Sequence, residues 1–124
     1  MECFKTFRKA PPSQLIMTLL VKNEESMLEE NLLFHKAMGV DSFIITDNNS
    51  TDSTPEIIRK YKQKGWIKEV IEEKATDYEQ KEWVDRMIWK AKTIYKADWI
   101  INADADELWY SPSGNLKTDQ TEDR

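Results

Sequence analysis

Asp104 and Asp106 stand one residue apart at the end of the apolar run Trp99-Ile100-Ile101-Asn102-Ala103. In an extended chain residues i and i+2 point to the same side, so both carboxylates face one ligand if the extension persists. Two like charges held that close repel, and without a counter-charge one is pushed toward protonation. Hard oxygen ligands suit Mn²⁺ or Mg²⁺, which bind through one or two carboxylates and complete their shell with water and phosphate oxygens. The pair therefore points to a phosphate-bearing ligand carried on a divalent cation. A solvated acidic turn at a strand end is the plain alternative, because Asp favours turns.

Two more polar clusters follow apolar runs. Lys22-Asn23-Glu24 comes directly after Leu15 to Val21, a continuous apolar stretch suited to a central parallel strand covered on both faces. Asp47-Asn48-Asn49-Ser50-Thr51-Asp52 comes after the strand-like Ser42 to Thr46. Between them Asn23 is expected to cap a helix whose apolar face is Met27, Leu28, Leu32, Phe34, Ala37 and Met38, with Gly39 just past its end. Thr54 as cap and Pro55 as first residue predict a short helix that stops near Gly65. A third strand is expected over Ile67 to Ile71 and a capping box at Asp77 and Gln80. The helix that box opens carries Trp83, Val84, Met87, Ile88, Ala91, Ile94 and Tyr95 at helical spacing, and the strand Trp99 to Ala103 completes the series.

Alternating strands and helices with short links predict an α/β fold, a Rossmann-like open parallel sheet with helices on both faces. In such sheets ligands bind beyond the carboxyl ends of the strands, near the switch in strand order. All three polar clusters fall at such ends.

Taken in order, Val21-Lys22-Asn23-Glu24-Glu25, the loop Asp47 to Asp52 and the run Asp104-Ala105-Asp106-Glu107-Leu108 resemble the family 2-like glycosyltransferases of the GT-A fold, over roughly residues 14 to 110. The match is to their nucleotide-sugar-binding half. The resemblance implies that Asp47 contacts the nucleoside base or ribose and that Glu24 binds the donor. It also implies that Asp106 ligates an Mn²⁺ or Mg²⁺ bridging the diphosphate, with Asp104 on the ribose or in the metal shell. Lys22, Asn23, Asn48, Asn49, Ser50 and Asp52 complete the expected nucleotide-sugar site. Asn48 and Asn49 replace the second aspartate and the glycine usual in the family's Asp-Asp-Gly-Ser loop, and Asn tolerates the left-handed backbone that glycine supplies. The implied partners are a UDP- or GDP-sugar and a saccharide or glycoconjugate acceptor, the product a polysaccharide or glycoconjugate. The family's catalytic base lies in the half after the D-x-D strand. Glu107 is too close to the acidic pair for that role, and Asp119, Glu122 and Asp123 have no positional claim.

At 124 residues and a formal charge of −5, the chain is one domain's worth without a basic run, which excludes nucleic acid as the main partner. The expected layout is a flexible segment over 1–13, the nucleotide-sugar-binding domain over 14–110 and a polar tail over 111–124, a truncated acceptor half on that view. Leu15 to Val21 is too short to span a bilayer, and the lone Cys3 is compatible with a reducing compartment. A cytoplasmic protein is expected, with peripheral membrane association allowed.

Single residues have plainer readings. His35, the only histidine, falls on the apolar side of its helix and is expected to be satisfied in the core. Trp66, Trp83 and Trp89 are expected to pack, Trp109 to line the site or seal the core, and Arg86 to be a solvated surface residue. The lysines from Lys60 to Lys68 make a wet face. Asn48 and Asn49 fit the glycosylation pattern, which means little without a signal sequence. The loop fails as a calcium loop because its sixth position is Asp52 and its twelfth Ile58. Two rival functions stand beside the transferase: a non-catalytic nucleotide-binding module or transferase fragment, and a phosphatase of the haloacid-dehalogenase kind. In the latter the Asp-x-Asp motif usually follows the first strand.

Overall fold

A computed structural model describes residues 2–5, 13–76 and 79–117. Its elements are β1 (Glu2–Lys5), β2 (Leu15–Val21), α1 (Leu28–Ala37), β3 (Ser42–Asp47), α2 (Thr54–Gln63), β4 (Ile67–Glu72), α3 (Gln80–Thr93) and β5 (Trp99–Asp104). The sheet runs in the order β1-β5-β2-β3-β4. Strands β5, β2, β3 and β4 are parallel, and β1 is antiparallel to β5, pairing Glu2 with Asn102 and Lys5 with Trp99.

Strand alternation divides the apolar residues between two layers. On one face Leu15, Met17, Leu19, Val21, Phe43, Ile45, Ile101 and Ala103 pack against Leu28 and Leu32 of α1 and Ile58 and Tyr61 of α2. On the other, Ile16, Ile44 and Ile100 pack against Met87 and Ala91 of α3. Each Leu or Ile buried in this way contributes about 1.5–3 kcal/mol of transfer free energy. From β2 the chain steps outward to β3 and β4, then returns by α3 across the opposite face to place β5 on β2's other side. The order therefore reverses between β5 and β2, and the cleft beyond their carboxyl ends is the expected ligand position.

The Rossmann-like α/β sheet is as expected, with differences at its margins. Glu2–Lys5 form a strand where a flexible segment is expected, because β5 offers them an open hydrogen-bonding edge. Asn23 does not cap α1: it sits at φ +53°, Glu24 to Met27 make a turn, and the helix starts at Leu28 after Met27. Ser53 rather than Thr54 precedes α2, with Pro55 in its first turn. Leu116, in the expected polar tail, is buried against the α1 and α2 layer, and its amide donates to Met38 O at 2.6 Å. Asp77, residues 6–12 and residues 118–124 with Asp119, Glu122 and Asp123 lie outside the described residues. Among the described residues, no helix is long and apolar enough to cross a membrane.

Candidate functional site

Four strands end at one rim, in the spatial order Asp104, Val21, Asp47, Glu72. The loops that follow are tied to one another by side-chain to backbone hydrogen bonds. Asn23 Oδ1 accepts the amides of Thr51 (2.7 Å) and Asp52 (3.3 Å), while the Asn23 amide donates to Ser50 Oγ at 2.9 Å. The Glu24 amide donates to the buried Thr54 hydroxyl (2.9 Å) and the Glu25 amide to Asp52 Oδ2 (3.2 Å). Asp47 Oδ1 accepts the Ser50 hydroxyl at 2.5 Å. Asn48 Nδ2 donates to Glu73 O and Ala75 O, each at 3.0 Å, and Asn49 Nδ2 to Lys74 O at 3.2 Å. Asn49 takes φ +59°, the left-handed conformation in which asparagine replaces glycine most easily.

Several residues expected to touch a ligand therefore build the rim. Asn23, Asn48, Asn49, Ser50 and Asp52 hold loop to loop. Hydrogen bonds outweigh burial at Asp52, where donors from Thr54 and the Glu25 amide hold the carboxyl below its ordinary range. Lys22 is exposed directly after β2.

The carboxylates of Glu24, Asp104 and Asp106 form no hydrogen bond or ion pair among the described residues. They act on one another through charge. Glu24 titrates above its ordinary range, first because it is partly buried and then because Asp106, Asp52 and Asp104 surround it with like charge. Three loops thus bring acidic groups from distant parts of the chain to one place. Asp47 stands somewhat apart, lining a cleft of about 230 Å³ with Pro55, Ile58, Arg59, Val70 and Glu72 on the α2 side. An apolar floor between polar ends of that kind suits a flat, partly polar ring.

The acidic loop after β5 has a shape of its own. Asp104 and Asp106 are exposed while Ala105 between them is buried. Glu107 closes the turn, its amide donating to Asp104 O (3.0 Å) and its Oε1 accepting the Asp104 amide (2.9 Å). Behind the loop, Asn31 Nδ2 donates to Ala105 O (2.9 Å) and Glu107 O (3.0 Å), and the Trp109 amide donates to His35 Nε2 (2.9 Å). Sequence reasoning places His35 correctly as a satisfied core residue and misses its partner. The available signal was a polar pair one turn apart on the buried face of a helix.

Trp109 and Trp66 pack on the core of the α1 and α2 face, and Trp83 is buried on α3. Trp89 departs from expectation: it is 58% exposed, because it points away from the sheet. Arg86 is an exposed surface residue, as expected, and donates to Glu73 Oε1 at 3.0 Å.

A divalent cation fits this donor set in part. Among the described residues there is no group of three His, Cys, Asp or Glu side chains able to hold a metal. Two exposed carboxylates with hard oxygens are what Mn²⁺ or Mg²⁺ takes from a protein when phosphate oxygens and water supply the remainder.

The glycosyltransferase family 92 profile matches residues 17–122. A comparison with curated proteins finds no match. Among solved structures, a mannosyltransferase, PcManGT from Pyrobaculum calidifontis in complex with GDP-Man and Mn²⁺, is similar with a TM-score of 0.57 and 19% sequence identity. The likeness covers 86% of this chain and 32% of that one, so the chain spans about a third of its length.

Proposed function

The chain belongs to glycosyltransferase family 92, and on that premise we propose that its acidic rim binds a nucleotide-diphosphate sugar through Mn²⁺ or Mg²⁺, as the nucleotide-binding half of a GT-A transferase. The resemblance read from the sequence holds for the glycosyltransferase class, and its narrower family 2-like form is not borne out by the family 92 match. A haloacid-dehalogenase phosphatase is set aside on the same ground. The sugar goes to a saccharide or glycoconjugate acceptor on this reading.

The observation that carries it is the gathering of Glu24, Asp52, Asp104 and Asp106 from three loops at one rim. Carboxylates from loops after β2, β3 and β5 crowd together without a cationic partner, a costly arrangement for a free protein and a useful one for gripping a cation. Asp106 and Asp104 would hold the ion. When bound, the metal offsets the charge that develops on the diphosphate leaving group as the glycosidic bond breaks. Glu24 would orient the donor beside it. Asp47 would accept a hydrogen bond from the base or ribose at the edge of the α2 cleft, with Ile58 and Val70 beneath the ring. Neither His35 nor Glu107 is placed to take the acceptor's proton. His35 is sealed with both ring nitrogens engaged, and Glu107 holds the Asp104 amide.

Calorimetric titration with UDP and with GDP, each with and without Mn²⁺, tests this. One nucleotide is expected to bind more tightly with metal, and Asp106→Ala to remove the metal-dependent part, a loss of tenfold or more. If neither binds, or if Mn²⁺ changes nothing, the site is misassigned. If the nucleotide binds with metal and no sugar is transferred to any acceptor, the chain is a binding module.

A further inference from the structure

We infer that Asn31 and His35 of α1 are positioning residues for the acidic loop, clamping the main chain of residues 105–109 so that Asp104 and Asp106 are presented together at the rim. This rests on the metal-site reading above for its consequence, though not for its geometry.

Both side chains are fully buried, on the face of α1 that packs against the sheet. Polar groups there cost free energy unless every donor and acceptor is paired. Their pairing is directed at one target. Asn31 donates both amide protons to the loop, to Ala105 O and Glu107 O. Its Oδ1 lies 3.0 Å from His35 Nδ1, and His35 Nε2 lies 2.9 Å from the Trp109 nitrogen. The Trp109 amide can only donate, so Nε2 must be the accepting nitrogen. Nδ1 must then carry the proton and donate it to Asn31 Oδ1. One tautomer and one amide orientation satisfy the whole chain of bonds. Burial pushes the His35 pKa down to about 4, against smaller opposite effects of Asn31 and the Glu107 charge, so the neutral ring is the form present at neutral pH.

The clamp grips alternate residues, 105, 107 and 109. Ala105 is buried, and Glu107 and Trp109 are half-buried, while Asp104, Asp106, Leu108 and Tyr110 are all exposed. Exposure thus alternates past the end of β5 although the extension stops there: residues 104–107 form a turn closed by the Glu107 amide on Asp104 O. Three hydrogen bonds between this helix side-chain pair and the loop fix the main chain where the sheet ladder has ended. Groups behind a metal ligand that fix its orientation commonly change metal affinity 10- to 100-fold when removed.

The test compares wild type with His35→Gln, His35→Leu and Asn31→Asp in the full chain. Gln keeps an acceptor near the position of Nε2, Leu keeps neither group, and Asp is nearly isosteric but cannot donate. Nitrogen-15 spectra of the wild type are expected to show the Nδ1–H tautomer, and amide exchange to show Trp109 protected in wild type and His35→Gln but not in His35→Leu. Mn²⁺-dependent GDP or UDP affinity is expected to fall 10- to 100-fold in Asn31→Asp and His35→Leu, with metal-free nucleotide affinity kept and His35→Gln close to wild type. An Nε2–H tautomer, or unchanged Trp109 protection in His35→Leu, overturns the clamp. A loosened loop with undiminished metal-dependent affinity overturns the positioning role. Should wild type show no metal-dependent binding while tautomer and exchange behave as stated, the metal-site reading fails and the clamp stands as architecture. His35→Leu is the variant most at risk of not folding, and Asn31→Asp then carries the comparison.

Discussion

The side-chain oxygen of Asn23 and the amide nitrogen of Thr51 lie 2.7 Å apart across a sequence separation of 28 residues. The loop after β2 is thereby fastened to the loop after β3, and Asn23 holds its left-handed backbone at φ +53° while doing so. Asn23→Ala removes the acceptor and places an unfavourable residue in that conformation, at a cost of about 1–2 kcal/mol. Urea unfolding should register the loss, with Asn23→Gly intermediate because it loses the same acceptor but adopts the left-handed backbone without strain. Equal stability of Ala and wild type would mean that the two loops are held by other contacts.

Crowded carboxylates make the opposite prediction for Asp106→Asn. The raised pKa of Glu24 means that its contribution to stability is present at low pH and is lost as pH rises through the folded-state value. Near neutral pH the metal-free chain therefore carries uncompensated repulsion. Removing the Asp106 charge relieves part of it, by a few tenths of a kcal/mol at this partly exposed site. The thermal midpoint without metal should rise slightly while Mn²⁺-dependent nucleotide affinity falls. A lowered midpoint would show that Asp106 is held by a stabilising partner instead.

Three of the four parallel strands, β2, β3 and β5, were legible as short apolar runs bounded by polar residues, and the edge strand β4 as a mixed run starting at Ile67. The convergence of Glu24 with Asp104 and Asp106 followed from the rule that loops at the carboxyl ends share a rim. Other features depend on partners that periodicity does not carry. Glu2–Lys5 have no pattern of their own and become a strand only against β5. Asn23 looks like a helix cap in sequence, yet it is drawn away by Thr51 and Asp52. Asn48 and Asn49 stand where the resemblance puts ligand contacts, and their Nδ2 atoms donate to the carbonyls of Glu73, Lys74 and Ala75, partners that the sequence does not reveal.

Acid should unfold the chain through His35. Its folded-state pKa of about 4 lies below the ordinary value of 6.5, so the unfolded chain binds the extra proton first. Stability from this group is complete above about pH 6.5, declines as pH falls toward 4, and changes no further below that, a total of about 3 kcal/mol. Glu107 is the neighbouring charge acting on the ring, and it opposes the shift. Urea midpoints measured between pH 7 and pH 4 should fall in wild type and fall less in His35→Gln. Parallel slopes for the two would remove His35 as the cause.

Gly39 ends α1 at φ +101°, and a Cβ there would come within 2.6 Å of Asn115 Oδ1. The Asn115 side chain is already held, since its oxygen accepts the Lys117 amide at 2.8 Å. Gly39→Ala combines backbone strain with this close approach, at a cost of about 1–3 kcal/mol. A thermal melt is sufficient to check it, and an unchanged midpoint would mean that the 111–117 turn moves aside freely.

The antiparallel seating of Glu2–Lys5 on Trp99–Asn102 gives the first few residues an influence over the last strand. With them in place β5 is an interior strand, and the main chain leading into Asp104 is bonded on both sides. Stripped of them, it would become a bare border able to zip onto a second molecule. Affinity tags or proteolytic trimming at the amino end would then be felt as dimers or aggregates, and as slackness at an acidic loop a hundred residues downstream.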